Sequence, residues 1–121
     1  MNKKLTREEA IELHREMWQD MRTELGDEPN WYERLDFKKK WVEEHFPNED
    51  VISNCFLCEY AESAAKDQYF SRCLKCPIAW NSSIHPTCNP GILDVWERNM
   101  IDYRYSPISV ILALPEREVV E

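Results

Sequence analysis

NCFLCEYAESAAKDQYFSRCLKCPIAW, residues Asn54–Trp80, holds four of the five cysteines of the chain as two C-x-x-C pairs, Cys55/Cys58 and Cys73/Cys76. A C-x-x-C turn sets two thiolates on one side of a tight knuckle, spaced like neighbouring corners of a zinc tetrahedron, so two facing turns complete a four-thiolate shell. Fourteen residues, Glu59 to Arg72, separate the pairs, just under the usual interval for zinc sites of this pattern. The reading therefore assigns a structural Zn2+ to Cys55, Cys58, Cys73 and Cys76, with a short helix between the knuckles over about Glu59 to Tyr69.

Disulfides or redox thiols, an iron–sulfur cluster and simple core packing compete with zinc for these cysteines. Disulfides need an oxidising compartment. The N-terminal MNKKLTREEA leads into a polar amphipathic segment rather than an apolar run, so the expectation is a cytoplasmic chain. Five cysteines also fit four ligands and one remainder better than a closed disulfide set. That fifth cysteine, Cys88, leaves a second shell open, Cys55, Cys58, Cys76 and Cys88, with Cys73 as the spare. His85 precedes Pro86 in a turn and is read as exposed.

With 121 residues, 43% hydrophobic and 31% charged, the chain has the composition of one folded domain and not of a disordered one. Its longest apolar run, Val110 to Leu114, is too short to span a membrane. The formal net charge is −8. Residues 1–54 carry 9 basic and 14 acidic side chains, while residues 55–90 carry 3 of each. A nucleic-acid module needs a basic face, and the only basic cluster, Lys38 to Lys40, reads as the solvated side of a helix. Five tryptophans and five tyrosines exceed the needs of a core this size and suggest a binding surface.

Around the cysteine stretch the chain reads as helices. Thr6 and Glu9 form a T-x-x-E capping box, and Ile11, His14, Met17, Trp18, Met21 and Leu25 recur at helical steps up to Gly26, predicting a helix over 7–25. His14 lies on that apolar stripe and reads as a packing histidine. Trp31, Leu35, Trp41, Val42, His45 and Phe46 predict a second helix, whose start the off-stripe Phe37 moves to near Arg34 and which Pro47 ends. Trp18 and Trp41 are expected in the core. Leu93, Trp96 and Met100 suggest a third amphipathic piece, and Ser106-Pro107 before ISVILAL favours a capped helix over a strand. The resulting expectation is a mainly α, zinc-stapled single domain, 1–121, with parts at 7–46, 54–80 and 91–121.

No glycine-rich phosphate loop, H-E-x-x-H or G-x-S-x-G occurs, and a closed thiolate shell leaves no coordination position for substrate. The expectation is therefore that the protein is not an enzyme.

ELHREMW at 12–18, NCFLCEYA at 54–61, CLKCPIAW at 73–80, a later cysteine at Cys88 and LALPERE at 112–118 together resemble a family of small uncharacterised cysteine-rich proteins of phages and prophages of Gram-positive bacteria. The resemblance implies a zinc-type cysteine site and brings no activity with it. The expected function is an accessory protein that binds a host or phage protein, with inhibition of a host enzyme or defence system as one form of that role. A nucleic-acid-binding zinc module is the alternative, and a thiol redox enzyme using one C-x-x-C is a third.

Overall fold

A computed structural model describes residues 4–51, 54–65, 76–80, 88, 95 and 100–116. Helix α1 spans Arg7–Leu25, α2 Trp31–His45, α3 Phe56–Ala65 and α4 Ile108–Leu112. The described part of the chain is mainly helical. Its only β element is one antiparallel bridge, Ile78 to Glu116, beside an Ala79 amide that donates to the Pro115 carbonyl at 2.9 Å.

Helix α1 runs where its sequence signals place it. The Thr6 hydroxyl accepts from the Glu9 amide and the Glu9 carboxylate accepts from the Thr6 amide, both at 3.1 Å, which satisfies two of the amide donors a helix start leaves open. Gly26 closes it at φ 88, a left-handed conformation that glycine adopts without strain. The stripe of Ala10, Ile11, His14, Met17, Trp18 and Met21 is buried, and α2, α3 and α4 all pack against it. Helix α1 is therefore the central rod of the domain.

Helix α2 departs from expectation at its start and on its buried face. It begins at Trp31, because Asn30 and Glu33 form a second reciprocal capping box at 2.9 and 3.1 Å. Its buried residues are Arg34, Lys38, Trp41 and Val42, whereas Leu35 and Phe37 are half-buried. Arg34 is satisfied there by three carbonyls, donating from Nε to Pro29 at 2.8 Å and from Nη1 to Tyr103 at 3.0 Å and Ser106 at 2.7 Å. Removal from water lowers its pKa, and the Asp102, Asp27 and Glu28 charges oppose that shift.

Helix α4 confirms the helical choice at 108–112 but not a cap from Ser106. Pro107 occupies the cap position and provides no side-chain bond, and Asp27 caps the helix from the end of α1 instead. Its two carboxylate oxygens accept from the Ser109 amide at 2.7 Å and the Ser109 hydroxyl at 2.8 Å, and its carbonyl accepts from the Ile108 amide at 2.8 Å. Those bonds from Ser109 hold the Asp27 carboxyl below its ordinary pKa.

The expected amphipathic piece at Leu93 to Met100 lies largely outside the described residues. The tryptophans read as a surplus for binding are mostly core: Trp18, Trp41 and Trp80 are buried, and the half-buried Trp31 meets Tyr103 edge to face at 5.7 Å. Among the described residues the exposed aromatics are Tyr32, at 78%, and Tyr105. No helix among the described residues is long and apolar enough to cross a membrane.

Candidate metal centre

The first C-x-x-C sits at the start of α3, which begins three residues earlier than the Glu59 expected from composition. Asn54 adopts φ 51, a left-handed conformation that asparagine tolerates better than most residues, and this turn sets Cys55 just before the first helical residue. The Cys55 sulfur then accepts from the Leu57 and Cys58 amides, acting as the cap of α3. A thiolate suits that position, since a helix start offers open N–H groups and a positive dipole end.

Cys55 and Cys58 share a sulfur hydrogen bond that fixes their protonation. With the Cys58 thiol donating, Cys55 falls to about 6, assisted by the Lys38 charge and the two amides and opposed by burial. Cys58 keeps the proton and is raised, by the same bond, by burial and by the neighbouring Cys55, Cys88 and Cys76.

Cys76 and Cys88 thus stand within electrostatic reach of the first knuckle, and Cys55, Cys76 and Cys88 all pack against the same core. The four described cysteines are free thiols. Cys73 and His85 lie outside the described residues, so the second knuckle is described at Cys76 alone. Cys88, the fifth cysteine, is brought in by the segment that follows residue 100: the Tyr103 amide donates to the Cys88 carbonyl at 2.9 Å.

These residues match a thiophilic divalent ion in donor type, and Cys55 and Cys58 share a sulfur hydrogen bond. No three of the described sulfurs lie within 4.8 Å of one another, wider than a closed tetrahedral shell requires. The one group of histidine, cysteine or acidic side chains that compact among the described residues is Glu16, Asp20 and His45, all exposed. There the Trp41 indole donates to Asp20 Oδ2 at 2.8 Å, and His45 Nδ1 lies 2.8 Å from the Trp41 carbonyl, which can accept a hydrogen bond from it.

Lys38 is the residue of this region that the sequence hid. Read as part of a solvated lysine run, it is 3% exposed, whereas Lys39 and Lys40 are exposed as expected. Its Nζ stands 4.7 Å from the Tyr103 ring and 5.8 Å from the Trp18 ring. Tyr103 itself is raised to about 12, chiefly by burial and then by the Cys88 charge.

Compared with protein-family models, curated proteins and solved structures, the chain matches none.

Proposed function

We propose that the protein is a zinc-stapled helical binding module, a phage or prophage accessory protein that works in the host cytoplasm by engaging a host or phage protein and not by catalysis. The observation that carries this reading is the charge of the groove between α1 and α2. It encloses about 540 Å³ and is lined by Asp20, Glu24, Glu33, Asp36 and Glu44, with Lys40 the one lysine. Lys40 is already paired with Asp36 at 3.1 Å. Such a face repels nucleic acid and suits a partner that presents lysine or arginine, including the basic groove of a host enzyme or defence factor. The cysteine donors suit a structural ion, because a four-thiolate shell, once closed on a metal, would offer substrate no open position.

Charge reversal tests the reading. Glu24→Lys and Glu44→Lys, both on exposed positions, should leave the melting temperature unchanged while abolishing capture of the partner that the wild-type chain retains from host lysate at low salt. Equal capture by the double variant would contradict it, and salt-dependent binding of the wild-type chain to DNA or RNA would favour the nucleic-acid alternative.

A further inference from the structure

Two carboxylates and an imidazole meet between α1 and α2. Glu16 and Asp20 stand four residues apart on α1 and so share a face of that helix, while His45 is the last residue of α2. One ligand atom from each of the three side chains lies within 4.8 Å of the other two. Among the described residues no lysine or arginine forms an ion pair with either carboxylate. The two negative charges therefore repel each other without a basic side chain to balance them, and a divalent cation bound by both would remove that repulsion.

Two of the three donors are set by one core residue, Trp41, which is itself not a ligand. Its indole donates to Asp20 Oδ2 at 2.8 Å, which leaves Oδ1 for another partner. Its ring stacks on the His45 imidazole with centroids 3.7 Å apart, and its carbonyl lies 2.8 Å from His45 Nδ1. A carbonyl only accepts, so Nδ1 carries the proton and the neutral ring keeps its lone pair on Nε2. Metal-ligating histidines commonly hold their second nitrogen on a backbone carbonyl in this way, and ligating carboxylates are themselves hydrogen-bonded. Trp41 is 3% exposed, so the core fixes the anchor for both groups. The exposed Glu16 side chain can then rotate to complete three ligands around an ion.

We propose that Glu16, Asp20 and His45 form an exchangeable site for a divalent first-row transition-metal ion, separate from the cysteines and independent of the zinc reading. The imidazole favours such an ion over Mg2+ or Ca2+, and two carboxylates with no sulfur disfavour Cu+. Three protein ligands leave the remaining coordination positions to water, unlike the closed shell of a structural site.

The full chain as purified is titrated with Mn2+, which prefers oxygen and nitrogen donors to thiolate. Bound ion is counted from the loss of the free Mn2+ signal in electron paramagnetic resonance and located by paramagnetic broadening of the tryptophan indole N–H signals in NMR spectra. Binding should saturate at one ion per chain, and the Trp41 indole signal should broaden first. Glu16→Gln should weaken binding about tenfold or more, at least the scale of an outer-shell change, with an unchanged melting temperature. His45→Phe, which keeps a ring on Trp41, should weaken it similarly, and Glu16→Gln alone makes the comparison if His45→Phe does not fold. Glu24→Gln removes an acid of the same groove outside the triad and should bind Mn2+ as the wild type does. Three results overturn the proposal: no saturable binding by the wild type up to millimolar Mn2+, broadening that spares Trp41, or an equal loss in Glu24→Gln and Glu16→Gln, which marks a diffuse acidic field.

Discussion

His14 is a titratable side chain held where its charged form is not tolerated. It is 2% exposed, its ring meets Trp18 and Trp80 edge to face at 6.4 and 5.8 Å, and its Nε2 has no hydrogen-bond partner. Burial first, then the Lys38 and Arg15 charges, lower its pKa from 6.5 to about 3. Between those values the unfolded chain carries a proton on His14 that the folded chain lacks, so stability is lost as pH falls through the window, with a limiting slope of about 1.4 kcal/mol per pH unit. His14→Phe, similar in shape and without the orphaned nitrogen, should raise stability at pH 5 and flatten the loss between pH 6.5 and 5. Urea unfolding of the two proteins at several pH values makes the comparison, and parallel curves would count against it. The periodicity of α1 placed this ring in the core. Its missing hydrogen bond was not legible, because the ring's surroundings include Trp80, a residue far away in sequence.

Helix α2 shows where sequence reading succeeds and where it stops. The Asn30/Glu33 box has the same form as the Thr6/Glu9 box, so the start at Trp31 was available from local signals. Asn30→Ala should cost about 1 kcal/mol and Asn30→Gly only a few tenths. Thermal melts of both variants, with helix content followed by circular dichroism, test this, and equal losses would place the effect elsewhere. The buried face was not available in the same way. Arg34 and Lys38 break an apolar pattern, and what pays for burying Arg34 is a pair of carbonyls 69 and 72 residues away, together with that of Pro29. No window along α2 contains that information.

The packing of the domain converges on α1, with Trp18 on its stripe and Trp41 facing it from α2. Trp18 is 2% and Trp41 3% exposed. Trp18→Ala and Trp41→Ala should each destabilise by about 3–5 kcal/mol, lowering the melting temperature sharply. A partner-binding defect with an unchanged melt would instead mark these rings as binding anchors.

Mainly helical architecture was readable from caps and periodicity, and the cysteine pairs from spacing. The approach of Cys88 was not, since it depends on the amide of Tyr103 in a segment that Arg34 anchors to α2. The central claim is a thiolate-held zinc, and X-ray absorption on the protein as purified tests it most directly, combined with elemental analysis. The account predicts one zinc per chain in a shell of four sulfurs at about 2.3 Å. Absence of zinc, or a zinc ligated by nitrogen and oxygen as Glu16, Asp20 and His45 would do, contradicts it.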